Sequence, residues 1–506
     1  MIVSIPWSRF LMSISQFAFA VLWLWNGRYR EKISAFFKSP TAIILSSIYI
    51  MHLIGVSYSS DVSWTLKELR VKLPILIIPF MFVGFPKLDY SKFEKIVYFY
   101  ATVIGLVSII ILATKLIGEM EIKYLMNEYF LSHIRYSLNL NIAMYFLAIV
   151  HLRKKRNHYS NLLVAILLLW LVFFLFYLKS FTGIVVFIVL FFVIGLFLAF
   201  RTKKLTFKIV YLSSLLLILF SLSFYFGLLI KNYYEVEEIQ VESLEKYTKS
   251  GNKYKHELPD VIESGQRTYF YVCNKELNET WNNLSDISYD SIDGNGHLIK
   301  YTLIRYLSSK GLRKDKEGVE SLSKKDISNI EKGIANYQYT QGVGISSRIK
   351  EILFEYDNYL RTRNPSGHSV MQRIEFWRTA KNIIKKNFWI GVGMGDLKIA
   401  FDTEYVLMGT KLNEKYRLRS HNQYLSIWAA FGLLGLVWFL FALLYPPIKH
   451  KLFGNIYFLV FFTSFAMSMF TEDTIETQAG VTFFIVFYCL FLFTFTDNKK
   501  NLFPTD

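Results

Sequence analysis

The chain has 506 residues, of which 53% are hydrophobic, 18% aromatic and 19% charged; Lys and Arg outnumber Asp and Glu by 57 to 39, a formal charge of +18 at pH 7. It is too apolar to be disordered, and its two cysteines are too few for a disulfide framework or a four-ligand zinc site. In a soluble protein this charge would point to nucleic acid, but in a chain this hydrophobic it points first to membrane topology, because basic residues collect in cytoplasmic loops.

A membrane span needs about 20 mostly apolar residues. About eleven stretches qualify in chain order: 7–25, 41–57, 72–85, 95–117, 136–152, 161–178, 180–200, 207–230, 422–446, 452–470 and 478–496. They predict an all-α, polytopic inner-membrane protein of about 11–12 transmembrane helices. A bundle is expected over 1–230, a large, mostly helical periplasmic segment over 231–421, and C-terminal transmembrane helices over 422–506. Pro74 and Pro79 predict a kink or tilt in 72–85, and the turn between 161–178 and 180–200 falls around Lys179 to Gly183. Arg153-Lys154-Lys155-Arg156, the cluster Arg201, Lys203, Lys204 and Lys208, and the pair Lys449 and Lys451 mark cytoplasmic loops. Alternation then puts the C-terminus inside and 231–421 outside. Counted back, the N-terminus falls outside after only a few residues, which predicts a helix or start codon upstream. Residues 1–30 lack a cleavable signal-peptide pattern. Most of the basic excess thus reports orientation, so membrane lipids are expected as partners and nucleic acid is not.

Within the polar segment, Asp293-Gly294-Asn295-Gly296 predicts a loop. Residues 300–335 predict short helices, with Leu303, Tyr306, Leu307 and Leu312 on one face. Ser323 with Asp326 is a capping signal. Cys273 lies here and Cys489 in the last span, which argues against a disulfide. Residues 373–387 predict an amphipathic helix with Ile374, Trp377, Ala380 and Ile384 as its apolar stripe and Glu375, Arg378, Lys381 and Lys385 outside it. It runs into Gly391-Val392-Gly393-Met394-Gly395-Asp396, where Gly391, Gly393 and Gly395 predict a tight turn and close backbone approach. A phosphate-cradling glycine loop normally follows a strand and precedes a helix; this one follows a helix, which disfavours a nucleotide site.

The polar segment ends at Arg417-Leu418-Arg419-Ser420-His421-Asn422-Gln423-Tyr424-Leu425. Ser420 is expected to N-cap the next span. His421, Leu425, Trp428, Gly432 and Gly435 then share one helical face, and the two glycines admit a neighbouring helix. A lone interfacial histidine is more often a hydrogen-bonded structural group. Here Arg373, Arg417 and Arg419 shift the balance. Guanidinium groups bind phosphates bidentately and keep their charge, and a neutral imidazole beside cations serves as a general base. Such a site at the outer leaflet suits a lipid diphosphate. Metal-ligand spacing is absent around His421, so metal-independent chemistry without a cofactor is expected.

The run His421-Asn422-Gln423-Tyr424-Leu425 followed by Gly432-Leu433-Leu434-Gly435-Leu436 resembles the signature of the O-antigen ligase and polymerase-related family. So does Arg373-Ile374-Glu375-Phe376-Trp377 leading to the glycine turn, and so do the external loop before Glu472-Asp473 and the aromatic last span. The tract 300–345 and Ser366-Gly367-His368-Ser369 resemble a branch of the family found in Bacteroidetes-type bacteria. The resemblance implies transfer of a glycan from an undecaprenyl-diphosphate-linked donor to an acceptor at the periplasmic face, without a metal. It implies His421 as the general base and Arg373 as the diphosphate ligand. The family often carries a second arginine in a Ser-Arg-Thr run at the outer end of a middle span; here the matching stretch is Ser180-Phe181-Thr182, and Lys179 or Arg135 offers the charge instead. Lipid A–core, a growing glycan and a protein hydroxyl remain open as acceptors. A transporter or flippase would predict ionisable residues at span centres and inverted repeats, neither of which the sequence displays. A non-catalytic scaffold in polysaccharide assembly would tolerate substitution of His421 and Arg373.

Overall fold

Each apolar stretch forms a helix, and small polar residues at the edges set where the helices begin. In this computed structural model, Ser8, Ser39, Asp61, Asp89, Ser132, Asn157 and Ser180 each accept a hydrogen bond from the backbone N–H three residues on. Each satisfies an N-terminal donor that the helix leaves open. The structure describes all residues except 119–121, 236–243, 258–260, 264, 340–344 and 496–506, and only the backbone of Val3, Lys123, Phe207, Tyr339, Ile345 and Ser347. Residue 496 of the last apolar stretch and residues 340–344 of the 300–345 tract therefore lie outside the described residues.

By length and apolarity, six described helices can cross a membrane, or seven if the bent pair Arg9–Trp25 and Tyr29–Phe37 is one span. The protein is an all-α, multi-pass membrane protein, but fewer helices meet the criterion than the sequence predicts. Pro74 opens a helix of only 10 residues, Pro74–Val83, that contains Pro79. The apolar helices Ile456–Thr471 and Gln478–Thr494 are also short.

The described chain divides into two compact units: Met1–Tyr211 with Arg373–Asp506, and Leu212–Gln372. In the first, the helices that position the candidate site are α1 (Val62–Lys72), α2 (His133–Leu152), α3 (Phe181–Arg201), α4 (Ser369–Lys386, which begins in the second unit), α5 (Gln423–Lys449) and α6 (Ile456–Thr471). The core is aromatic: Phe465 stacks on Phe484 with centroids 4.3 Å apart. Polar groups inside the bundle are tied helix to helix, as when Asn141 donates to the carbonyls of Ser137 and Gly183. A side chain at Gly183 would meet Ser137 at 2.4 Å; this glycine lets α2 and α3 approach at the level of Arg135 and Lys179.

In the second unit, Trp281, Leu303, Tyr306, Leu307 and Ile330 form a separate buried core. Leu303, Tyr306 and Leu307 share one face of the helix Ile299–Ser309 as predicted, whereas Leu312 lies beyond its end. Ser323 and Asp326 form a reciprocal capping box. The described strands are the two-residue pair Ile262–Glu263 and Gln266–Arg267. Cys273 and Cys489 are buried free thiols.

Candidate functional site

The site is framed by backbone contacts before any charged group is considered. α4 buries Phe376, Thr379, Ala380, Ile383 and Ile384. The predicted stripe is displaced: Ile374 is exposed and Glu375 is buried. Glu375 is tolerated inside because Thr410 donates to its carboxylate at 2.7 Å. Beyond α4 the chain runs alongside α5 main chain to main chain. Val392 and Gly393 donate to the carbonyls of Ala429 and Ala430 at 3.0 and 2.9 Å, and Leu433 and Leu434 donate to Phe388 and Trp389 at 2.8 and 3.3 Å. This pairing requires α5 to be broken. Gly432 has φ 65° and ψ −172°, which interrupts the helix. A Cβ there would lie 2.1 Å from the Trp389 carbonyl carbon, and one at Gly391 would lie 2.4 Å from that of Ala430. Gly432 thus admits the segment after α4, where the sequence predicts a neighbouring helix. Gly435 faces Phe431 and Met51. Gly393 and Gly395 close against Ser59 and Thr65, and Asp396 accepts from the backbone of Ser60 and Asp61.

His421 lies just before α5, not on its face. Asn422, rather than Ser420, is the N-cap, accepting from Leu425 N–H at 3.1 Å. Buried Ser420 accepts from Asn422 N–H and shares a hydrogen bond with Ser426. Between them His421 takes φ 47°, a left-handed conformation uncommon for a side-chain-bearing residue. Its ring stacks on Phe376 of α4, centroids 5.6 Å apart. Its Nδ1 lies 3.3 Å from Glu472 Oε2, at the end of α6. Arg373 Nη2 donates to the other oxygen of the same carboxylate at 3.1 Å. Burial pushes the Glu472 carboxyl up, but the His421 hydrogen bond and the charges of His421, Arg373 and Arg135 outweigh it and hold it below its ordinary range. Arg135 donates Nη1 to Ser132 at 3.2 Å, while its buried Nε has no partner among the described residues.

A second cluster lies around Glu476, the third carboxylate of the same turn. Lys72 of α1 bridges Glu68 and Glu476 at 2.7 and 2.6 Å. Arg419 Nη1 stands 3.3 and 3.5 Å from the same two residues. Gln423 donates to Glu476 and accepts from Ile475 N–H, both at 2.9 Å. Burial raises the Glu68 carboxyl, whereas Glu476, despite burial, is held far down by Lys72 and Arg419. Asp473 accepts from Ser426 at 2.7 Å, and burial pushes its carboxyl up.

Of the residues singled out in the sequence, Arg373, His421 and Arg135 converge on Glu472. Arg419 is bound in the ion cluster instead. Arg417 donates to the carbonyl of Leu412, within its own loop, at 3.2 Å. Lys179 is exposed at the turn into α3, with φ 50°. Asn422 and Tyr424 fasten α5 to α6 through the carbonyls of Phe470 and Ala466. Sequence reasoning named Glu472 and Asp473 only within the family resemblance and did not single out Glu476, Glu68 or Lys72. Apart from the i,i+4 pair Glu68 and Lys72, their partners are tens to hundreds of residues away. Only the density of three carboxylates in five residues beside an apolar helix hinted at them. Among the described residues no group of three or more His, Cys, Asp and Glu side chains is placed to hold a metal ion.

No curated protein matches the chain at a significant level. Residues 332–440, which carry Arg373, the glycine turn, His421, Gly432 and Gly435, match the sequence model of the family described as O-antigen ligase. That match supports assigning this multi-pass membrane protein to the O-antigen ligase family.

Proposed function

We propose that the chain transfers a glycan from an undecaprenyl diphosphate donor to an acceptor hydroxyl, at the periplasmic face of the inner membrane and without a metal. The observation that carries this reading is that His421 and Arg373 meet on one carboxylate, Glu472, within reach of the charge of Arg135. A carboxylate on Nδ1 fixes the imidazole tautomer and leaves Nε2 to accept a proton. His421 Nε2 takes the proton of the acceptor hydroxyl as its oxygen attacks the anomeric carbon of the donor sugar. The bond from that carbon to the diphosphate oxygen breaks, and the lipid diphosphate leaves. Arg373 and Arg135 meet the charge that grows on it. Arg135 brings to this task an Nε donor that has no partner among the described residues. Lys179 is a further cation for the donor, and Arg417 and Arg419 act through the loop and the ion cluster rather than on the diphosphate.

The acceptor hydroxyl belongs to lipid A–core, a growing glycan or a protein. Deleting the gene and analysing the surface distinguishes them: loss of ligated polysaccharide, of chain length or of protein glycosylation each names one. The direct test of the mechanism is His421→Ala, which abolishes transfer while the protein still inserts and keeps its melting temperature. Full transfer by that variant overturns the reading.

A further inference from the structure

The unit Leu212–Gln372 contains a cavity of about 1660 Å³, formed entirely by its own residues. Ligand pockets for small molecules are commonly about 300–1,000 Å³, so this one has room for an extended occupant. Its walls are mixed. Tyr269 and Tyr301 line it, and Tyr301 is 47% exposed. Asn278, Asn358, Arg361 and His368 add planar polar groups. Its charges carry both signs and are in part cancelled internally: Lys255 pairs with Glu257 at 2.7 Å, and Arg305 pairs with buried Glu263 at 2.8 Å while lying over the Phe354 ring.

The polar wall has a defined hydrogen-bond polarity. Arg361 donates to Asn358 Oδ1 at 3.3 Å, which turns the Asn358 amide nitrogen toward His368 Nε2 at 3.2 Å. His368 Nε2 therefore accepts, and the neutral ring carries its proton on Nδ1 as a donor. Burial, with the charges of Arg305 and His297, pushes this imidazole down to about 4, so it stays neutral at ordinary pH.

These features select among ligands. An acyl chain would need an apolar lining. A polyanion would need a large surplus of cations; the lining sets Lys255, Lys275, Lys300, Arg305 and Arg361 against Glu257, Glu279 and Asp290, a surplus of two, and Lys255 and Arg305 are already paired. A ligand built of hydroxyl groups on apolar ring faces needs aromatic faces together with planar donors and acceptors, and this cavity holds both. We infer that the cavity of the Leu212–Gln372 unit is a saccharide-binding site, separate in sequence from His421 and Arg373, that holds several sugar residues of a glycan. It rests on the transfer reading only for the source of that glycan.

The test uses the full-length protein in detergent and oligosaccharides released by mild acid from the surface polysaccharide of the cells that carry the gene. Binding is followed by saturation-transfer NMR and titration, beside inorganic phosphate and an unfolded peptide. Oligosaccharide is expected to bind. Tyr301→Ala is expected to weaken it about tenfold, the effect of one lost aromatic anchor, and Tyr301→Phe to preserve it. Arg361→Ala, which frees the Asn358 amide, is expected to weaken it as well. His421→Ala is expected to bind as wild type. Wild-type affinity in both Tyr301→Ala and Arg361→Ala, or binding of phosphate or peptide in place of oligosaccharide, overturns the inference. Retained transfer by His421→Ala together with lost binding by Tyr301→Ala would overturn the mechanism and leave the saccharide site standing.

Discussion

Gly432→Ala is the most incisive perturbation of the frame. With φ 65° and ψ −172°, residue 432 occupies a region essentially reserved for glycine, and an L-residue there costs about 1–3 kcal/mol. The added Cβ would meet the Trp389 carbonyl carbon at 2.1 Å and the Ile390 nitrogen at 2.2 Å. Both are backbone atoms, so no rotamer change relieves the contact. Separating the two segments also breaks the bonds from Leu433 to Phe388 and from Leu434 to Trp389, at about 1 kcal/mol each. The total, about 3–5 kcal/mol, is a large part of the 5–15 kcal/mol that typically holds a domain together. The expected result is a melting temperature about 5 °C lower, read from the monodisperse fraction after heating in detergent. Transfer should be lost as well, because the same backbone pairing sets the helix carrying Arg373 against the segment carrying His421. Gly227→Ala is the matched control: nothing lies within 4 Å of its added Cβ, and it should be neutral or slightly stabilising. Wild-type stability and activity in Gly432→Ala would refute the argument that this pairing is built on a glycine.

Three further outcomes are expected. Glu472→Gln lowers kcat roughly a hundredfold without raising the donor KM, because Arg373 loses a competitor for its charge; an unchanged kcat would remove Glu472 from the mechanism. Lys72→Met leaves buried Glu68 and Glu476 to share the Arg419 cation, with Gln423 still on Glu476, and costs about 3–5 kcal/mol in detergent stability, partly restored by adding Glu68→Gln; equal melting of single and double variants would contradict this. His368, pushed down to about 4 from its ordinary 6.5, is neutral when folded while its unfolded counterpart takes up a proton. The stability of the Leu212–Gln372 unit therefore rises with pH between about 4 and 6.5 by up to about 3 kcal/mol and is flat above. Hydrogen exchange across this window should lose most of that slope in His368→Gln, and an unchanged slope would assign it elsewhere.

The helical stretches were legible because the signal is local: apolar runs bounded by Ser, Asp or Asn caps specify a helix without knowledge of its neighbours. Arg373 and His421 were legible through their surroundings, the glycine turn and the close of the polar segment. Glu472 was not, since its two partners lie 99 and 51 residues away and an acidic turn after a span carries no local sign of them. The place of Arg419 in the ion cluster was illegible for the same reason: its partner Glu68 is 351 residues distant. Gly432 illustrates an ambiguity of residue type. A glycine in a spanning helix admits either a neighbouring helix or an irregular backbone, and only the register of Phe388 and Trp389 decides between them. Ile374 and Glu375 changed places because a helix touched from several sides does not sort its residues on polarity alone.

The turn from Glu472 to Glu476 bears on how this protein can change over time. Glu472 serves Arg373 and His421, Asp473 serves Ser426, and Glu476 serves Lys72, Arg419 and Gln423. The five residues thus act as a spacer of fixed length between the Arg373 and His421 contacts and a buried ion cluster. Substitutions there can be tried one at a time, but inserting or deleting a single residue puts one set of partners out of step whichever set is kept. Descendants of this chain are therefore expected to vary in the side chains of the turn well before they vary in its length.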